Sequence, residues 1–385
     1  MEFEQKEVIE YRLKEALKYS PKRDNEKILF WVSAYSYFLE SVESLINTYV
    51  KKGIQCGILF MDVEYMISET GTGASEIMLT VIERLKNKGV RCILYRDWNP
   101  SEGKWDVCYV NKGGKIPEKI RGVCRYIALL QLMAHYTHTL KGNYFQENQS
   151  FENLFGEAVL RNIDYVIVAE HIADWIENIS LDFKEKILRF GYPKQDDLHN
   201  AMNKKNEIPE EWQQKIQNKK VYLWTFSNLR CLPESLKSDD RIVIFRPHPL
   251  RLEEILKNEI ENIKKHKNLI LDDRNTYWAS FQASDVMISC MGASMCSNYL
   301  MAGKTCLLVG DQDKEEDALG NKSQVWYKAS YIVHDFDEID SFVEKYEAGK
   351  LGNTEEKEKN REILKKQFDG KVCERIVNFF ESKLK

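Results

Sequence analysis

Two short polar segments, each directly after an apolar run, carry side chains suited to binding and chemistry. Arg246-Pro247-His248-Pro249 follows the run Ile242–Phe245, and Cys290-Met291-Gly292-Ala293-Ser294 follows Val286–Ser289. Both runs read as strands, and ligands of parallel α/β sheets bind at the carboxyl ends of strands. The first segment offers a guanidinium and an imidazole, and the second offers backbone N–H groups and a hydroxyl at a helix start. Together they predict a site for a doubly charged anion, such as the pyrophosphate of an activated nucleotide.

Arg246 and His248 are the candidates for contact with such a donor, and His248 is also a catalytic candidate. Residues two apart beyond a strand point to one face, and the flanking prolines stiffen the loop. An arginine matches phosphate oxygens bidentately. The alternative is that Arg246 pairs with an acidic residue and His248 hydrogen-bonds the backbone.

The second segment is the candidate phosphate cradle, since Gly292 permits close backbone approach and Ser294 can cap a helix. The alternative is a plain helix cap. Asp272–Asn275, which precedes Tyr277 and Trp278, is a candidate contact for a base or sugar, or else a charged turn with a helix cap. The donor-binding residues predicted on this basis are Arg246, Gly292, Ala293, Ser294, Ser289, Asp273, Thr225 and Lys141.

Two histidines in the first half, His135 and His138, are candidates for a base that accepts a proton from an acceptor hydroxyl. On a helix they would share a face with Lys141. They can equally be exposed or packed histidines, and neither is preferred here. Because no third ligand accompanies them, no metal site and no cofactor are expected. The glycine-rich stretch Thr70–Ser75 lacks a Walker pattern and reads as a mobile loop.

Composition restricts the class of protein. The chain has 385 residues with 43% hydrophobic and 30% charged, which is typical of a globular protein of roughly two domains. A net charge of −4 argues against a non-specific nucleic-acid binder. The nine cysteines show no zinc spacing and read as thiols of a reducing compartment. With no secretory signal and no apolar run of about 18 residues, we expect a cytoplasmic protein whose membrane contact, if any, is peripheral at the inner membrane face.

Short apolar runs alternate with helical patterns almost throughout, which predicts an α/β fold of doubly wound parallel sheets. Predicted helices are Tyr37–Lys51, Ala74–Lys88, Leu252–Lys265, Ser294–Ala302 and Val372–Leu384. Predicted strands are Lys27–Val32, Gln55–Met61, Val90–Tyr95, Asp106–Val110, Val123–Ala128, Tyr165–Ala169, Val221–Phe226, Ile242–Phe245, Leu269–Leu271, Val286–Ser289, Thr305–Val309 and Tyr331–Val333.

The polar segment 196–219 lacks a strand pattern and is predicted to link two halves. The predicted domains are residues 1–195 on the acceptor side, residues 220–365 on the nucleotide-donor side, and a final helix in 366–385 that returns to the first domain.

The order of motifs in the second half resembles the CDP-glycerol glycerophosphotransferases, which build polymers of the teichoic-acid type. The matching elements are Arg246-Pro247-His248-Pro249, Ser284-Asp285-Val286, Gly303-Lys304 and Asp369-Gly370…Arg375, with Gly191-Tyr192-Pro193…Asp196 in the first half. The resemblance implies a GT-B fold, in which two Rossmann-like domains face each other over a cleft. It also implies a CDP-linked donor and a polymer or lipid-linked acceptor.

The sequence departs from the family pattern at chemically important positions. Cys290 replaces the family's aspartate, and Gly292 and Ala293 replace a serine pair. The histidine motif near His135 lacks its glycine. Three hypotheses therefore stand: a transferase of glycerol phosphate or a related alditol phosphate, a GT-B glycosyltransferase that uses another nucleotide sugar, and a non-catalytic nucleotide-binding relative.

Overall fold

The structure is a computed structural model that describes residues 2–32, 36–110, 116–130, 162–179, 181–204, 207–248, 252–274, 276–291, 295–310 and 325–385. These residues divide into two compact units. The first comprises the described residues up to Asp197 together with Asp369–Lys385, and the second comprises Leu198–Phe368. Each unit is built on one parallel sheet.

The sheet of the first unit has its strands in the order β3-β2-β1-β4-β5-β6-β7, all parallel. Its residues alternate between two apolar clusters: Ile28, Phe30 and Val32 enter one, and Leu29 and Trp31 enter the other. Both faces are therefore buried, as the continuous apolar runs predict. The strands are β1 (Glu26–Val32), β2 (Gln55–Phe60), β3 (Arg91–Leu94), β4 (Trp105–Val110), β5 (Cys124–Leu130), β6 (Tyr165–Val168) and β7 (Ile187–Arg189).

The sheet of the second unit repeats the arrangement, in the order β10-β9-β8-β11-β12-β13. Numbered within the unit, this is the 3-2-1-4-5-6 order of the dinucleotide-binding folds. The order reverses between β8 and β11, which makes the carboxyl end of that pair the place where ligands bind in such sheets. The strands are β8 (Lys220–Trp224), β9 (Arg241–Phe245), β10 (Leu269–Leu271), β11 (Val286–Cys290), β12 (Thr305–Val309) and β13 (Tyr331–Val333).

The helices follow the strands in both units. Those of the first unit are α1 (Glu2–Ala16), α2 (Ser36–Lys51), α3 (Val63–Asn87), α4 (Glu118–Arg121), α5 (Glu170–Ile179) and, after the second unit, α14 (Val372–Leu384). The others are α6 (Lys194–Asn203), α7 (Glu210–Ile216), α8 (Leu252–Lys265), α9 (Trp278–Ala283), α10 (Met295–Met301), α11 (Val325–Ala329), α12 (Ile339–Glu347) and α13 (Thr354–Leu364). Within the described residues, no helix has the length and apolar character needed to cross a bilayer.

Three sequence-based predictions of local structure need correction. The stretch Thr70–Ser75 is not a loop, because α3 begins at Val63 and continues through it. Asp62 caps this helix, since its side chain accepts a hydrogen bond from the backbone N–H of Glu64 at 3.0 Å. The segment 196–219 holds most of α6 and all of α7. Strand β7 was not predicted at all.

Helix α14 completes the core of the first unit. Its side chains Val372, Ile376, Val377 and Phe380 are buried in the same cluster as β1 and β4. The ring of Phe380 contacts Tyr109, Tyr126 and Tyr165 at centroid distances of 5.7, 6.2 and 5.6 Å. A large apolar area is thus removed from water by residues that follow the second unit in the chain.

Two of the family-like elements fix the start of α14. The carboxylate of Asp196 accepts hydrogen bonds from the backbone N–H groups of Val372 and Cys373, both at 2.8 Å. Such a bond satisfies donors that have no partner within the helix. Arg375 donates to the carbonyl oxygen of Phe190 at 3.0 Å and pairs with Asp369 at 2.7 Å.

Gly191 lies in the same region with φ +94°, a backbone conformation that L side chains rarely adopt. A Cβ atom at this position would stand 2.2 Å from Oε1 of Gln195 and 2.8 Å from Cγ2 of Val372. The elements Gly191…Asp196 and Asp369…Arg375 are therefore explained by the packing of α14.

Asp197 gives the first unit a pH-dependent stability. Burial raises the pKa of this carboxyl to about 6, although the hydrogen bond from Ser44 and the charge of Lys194 both act to lower it. The unfolded value is about 4. Between about pH 4 and pH 6 the folded state holds a proton that the unfolded state has lost, so stability falls as pH rises through this window.

We therefore expect Asp197→Asn to match the wild type in melting temperature at pH 4 and to exceed it at pH 7.5. The gain should be on the order of 1–2 kcal/mol, or a few degrees. Asp24→Asn, at an exposed site of the same unit, is the control and should change little at either pH. A constant difference between Asp197→Asn and wild type across the range would contradict the prediction.

Candidate functional site

Four polar residues form a row at the carboxyl edge of the second sheet. The strand register aligns Leu271 with Phe245, Phe245 with Trp224, and Trp224 with Ile288. The four residues that directly follow these aligned positions therefore also lie side by side across the sheet, and in a parallel sheet side chains in register point to the same face. These residues, called the polar row below, are Asp272, Arg246, Thr225 and Ser289.

Backbone hydrogen bonds extend the strand pairing into the polar row. Three of its N–H groups donate to carbonyl oxygens of the neighbouring strand: Asp272 to Phe245 at 2.8 Å, Arg246 to Trp224 at 2.9 Å, and Thr225 to Ile288 at 3.2 Å. The polar row is consequently held by the sheet rather than by a loose loop. It spans the switch point between β8 and β11, so the structure brings together Arg246, Thr225 and Ser289 of the predicted set.

Arg246 is buried, with 4% of its surface exposed, and pairs with Asp272. Its Nη1 lies 2.7 Å from Oδ2 of Asp272, and its Nη2 donates to the carbonyl oxygen of Arg274 at 3.0 Å. This is the acid-pairing alternative that the sequence left open. Direct contact of Arg246 with a donor stays a prediction.

The other half of the polar row is a pair of hydroxyls. Oγ1 of Thr225 donates to Oγ of Ser289 at 2.7 Å, and it lies 3.3 Å from the carbonyl oxygen of Ile288. Ser289 is fully buried, whereas Thr225 is half-buried. Thr225 is therefore the hydroxyl of this pair that lies nearer to solvent, with Ser289 behind it.

Three side chains beyond the polar row face solvent. His248 follows Arg246 by two residues, Asp273 follows Asp272, and Cys290 follows Ser289; all three are exposed. The imidazole, the carboxylate and the thiol are thus accessible at the ends of β9, β10 and β11. The thiol stands where the resembling family has an aspartate.

Arg274 adds a second guanidinium beside the polar row. Its Nε donates to Oδ1 of Asp272 at 2.7 Å, and its Cζ lies 4.1 Å from the centre of the Trp212 ring. Trp212 belongs to α7, so the segment predicted as a linker supports the site. The sequence predicted Asp272–Asn275 as a candidate contact for a base or sugar, or else as a charged turn, but it did not predict the pairing of Asp272 with two arginines or the role of Trp212. The signal in the sequence was an aspartate directly after an apolar run, at the position equivalent to that of Arg246.

The remaining predicted residues lie outside the part of the chain that the structure describes. They are His135, His138 and Lys141 on the predicted acceptor side, and Gly292, Ala293 and Ser294 of the predicted phosphate cradle. Among the described residues, no group of three or more histidine, cysteine, aspartate or glutamate side chains could hold a metal ion.

Two further residues of the family-like order have structural roles. Asp285 accepts a hydrogen bond from the backbone N–H of Val221 at 2.9 Å. Nζ of Lys304 donates to the carbonyl oxygens of Gln282 and Ser284 at the end of α9, where a cation suits the helix dipole. Burial lowers the pKa of Lys304 to about 8.

Comparisons with solved structures find a shared fold at low sequence identity. The chain is similar to the wall teichoic acid polymerase TagF, with a TM-score of 0.57 and 14% identity, over 98% of this chain and 93% of that chain. It is similar to a UDP-GlcNAc 2-epimerase from Neisseria meningitidis, solved with UDP-GlcNAc bound, with a TM-score of 0.60 and 14% identity over 93% of this chain and all of the other. The chain has a GT-B fold.

A glycosyltransferase from Rickettsia africae ESF-5 shares the GT-B fold, with a TM-score of 0.53 and 12% identity over 94% of this chain and all of that one. No family model and no curated protein sequence matches the chain. The GT-B fold confirms the fold class implied by the motif resemblance, and at these identities the likeness concerns the fold.

Proposed function

We propose that this chain transfers an alditol phosphate, of the glycerol-phosphate type, from a CDP-linked donor to a polymer or lipid-linked acceptor. The observation that carries the proposal is the polar row at the switch point of the second sheet, with the exposed imidazole of His248 beside it. Support comes from the family-like motif order and from the GT-B fold shared with TagF, which is named as a wall teichoic acid polymerase.

In the proposed reaction, an acceptor hydroxyl oxygen attacks the β-phosphorus of the CDP-linked donor. A new P–O bond forms, the bond from this phosphorus to the bridging oxygen breaks, and CMP leaves with the electron pair. The hydroxyl proton passes to a base, for which His135 and His138 are the candidates. Charge grows on the leaving phosphate, and fixed donors lower the barrier by stabilising it.

The residues of the second unit would share this work as follows. His248 donates a hydrogen bond to a phosphate oxygen, and the hydroxyl of Thr225 approaches the donor with Ser289 behind it. Gly292, Ala293 and Ser294 offer backbone N–H groups and a hydroxyl. Arg246 contributes positive charge from below the surface.

A second candidate function is transfer of a sugar from another nucleotide donor by a GT-B glycosyltransferase. Cys290 in place of an aspartate, and Gly292 and Ala293 in place of two serines, favour it because they alter the predicted phosphate pocket. A non-catalytic relative would bind a nucleotide without turnover. These alternatives differ in donor preference and in product, so one experiment separates them.

The position of Cys290 provides that experiment. Of the nine cysteines, Cys231 and Cys290 are exposed, Cys124 is half-buried and the others are buried. We expect saturating CDP-glycerol or CDP-ribitol to slow alkylation of Cys290 several-fold in the Cys231→Ser background. Cys231 in the Cys290→Ser background is the control and should react at an unchanged rate.

The outcomes assign the donor. Protection by cytidine nucleotides with release of CMP supports alditol-phosphate transfer, and protection by UDP-sugars or GDP-sugars alone supports the glycosyltransferase. Protection without any turnover on acceptor-bearing membranes supports the non-catalytic relative. Unchanged Cys290 reactivity with every nucleotide, despite a nucleotide-induced rise in melting temperature, would place the site elsewhere.

A further inference from the structure

One buried carboxylate organises the cationic half of the polar row. Asp272 is 1% exposed and accepts hydrogen bonds from Nη1 of Arg246 and Nε of Arg274, each at 2.7 Å. The hydroxyl of Ser280, on α9, donates to the same carboxylate. The three donors come from the loop after β9, the loop after β10, and α9.

The charges around Asp272 do not cancel. Two guanidinium groups share a single buried carboxylate, so one positive charge remains in this cluster. Burial works against ionisation of Asp272, yet hydrogen bonds from Arg274 and Ser280 and the charge of Arg246 prevail and lower its pKa. The carboxylate therefore stays charged at neutral pH, and the cluster keeps an excess of one cation.

The geometry of Arg274 indicates why this excess is useful. Its Nε is bound to Asp272 and its Cζ lies 4.1 Å from the centre of the Trp212 ring, while its Nη2 is buried and has no hydrogen-bond partner among the described residues. Arg246, in contrast, uses both of its Nη atoms internally. One arginine is thus enclosed, and the other, with its side chain 33% exposed, retains an unsatisfied donor for a ligand.

We propose that Asp272 is the positioning residue of the candidate site. It fixes Arg246, two residues before His248, and it holds Arg274 beside the Trp212 ring so that the net positive charge is available to an anionic ligand in one arrangement. The inference rests on the proposed function for the identity of that ligand, a nucleoside diphosphate group. Without the carboxylate, two neighbouring guanidinium groups would be left to repel each other, and Arg246 would become a buried unpaired charge.

The test compares Asp272→Asn with Asp240→Asn. The control removes the same charge from an exposed aspartate directly before β9, at the opposite end of that strand from Arg246, and this aspartate makes none of these bonds. We expect the affinity for CDP, measured by calorimetry on the full chain, to fall about ten-fold or more in Asp272→Asn and less than two-fold in the control.

A second measurement does not need a ligand. Loss of the Asp272 carboxylate raises the positive potential near His248, so the NMR titration midpoint of this imidazole should fall by about half a pH unit. In Asp240→Asn the change should be smaller than about 0.2, because this charge is exposed and solvent screens it. His248→Gln identifies the signal.

Ser280→Ala keeps the proposal testable if Asp272→Asn does not fold. It removes one hydrogen bond and leaves the charge, so it should weaken CDP binding about two- to three-fold and leave the His248 midpoint in place. Wild-type CDP affinity in a folded Asp272→Asn protein, with an unchanged His248 titration, would overturn the inference. If the wild type binds no CDP, the proposed function fails, while the His248 titration still decides the role of Asp272.

Discussion

Replacing His248 with alanine is expected to lower the rate of transfer by about 10²–10³-fold while leaving the fold intact. The side chain is exposed at the end of β9, so its removal leaves no cavity in the core. The loss should appear in kcat, because a hydrogen bond that strengthens as charge develops on the leaving phosphate acts mainly in the transition state. Release of CMP from the CDP-linked donor, followed under single-turnover conditions, measures it.

His334→Ala is the matched control for this variant. His334 is also an exposed histidine and follows β13 of the same sheet, four strands away from β9. It should transfer at the wild-type rate. Full activity in His248→Ala would remove the imidazole from the mechanism, whereas loss of nucleotide binding together with activity would make it a ground-state contact.

Replacing Phe380 with alanine is expected to destabilise the first unit by about 3–5 kcal/mol. The ring is fully buried and contacts three tyrosines on β4, β5 and β6, so its removal leaves a cavity that the rigid sheet cannot close. Hydrogen exchange should show loss of protection for amides of β4 and unchanged protection for amides of β8, since these strands belong to different units.

The neighbouring Phe379→Ala is the control. Phe379 is only partly buried, so its replacement should lower the free energy of unfolding clearly less than the replacement of Phe380, although its ring contacts Tyr165 and Phe190. Equal losses in the two variants would mean that attachment of α14 depends on its aromatic surface as a whole and not on the buried ring.

Much of the fold could be predicted because its strands are buried on both faces. Continuous apolar runs such as Ile242–Phe245 and Val286–Ser289 leave little ambiguity, and all twelve predicted strands are present. Strand β7 was missed because Ile187–Arg189 is only three residues long and half-buried, so it carries a weak pattern. The amino-terminal part of α3 was missed because Gly71 and Gly73 suggested a turn, whereas the helix continues through them despite their low helix propensity.

The site was predicted only in part, for a different reason. The strand ends that carry Arg246, Thr225 and Ser289 are adjacent because of strand order, and the order follows from the fold class. The partner of Arg246 is 26 residues away in sequence, and the local pattern marks Asp272 as the first residue after a strand without showing that it pairs with Arg246. Trp212, from the predicted linker, is likewise brought to Arg274 by tertiary structure alone.

The path of the chain through the two units has a consequence for synthesis. Strands β1 to β7 of the first unit are made before the second unit, yet their core receives Phe380 only after the whole of Leu198–Phe368 has been translated. During translation at about 5–20 residues per second, the second unit is therefore made while the first still lacks the helix that covers the aromatic residues of β4 and β5. For roughly ten to forty seconds this surface is available to chaperones or to other nascent chains, so the strands of the first unit are made before the second unit but are protected from aggregation only after it.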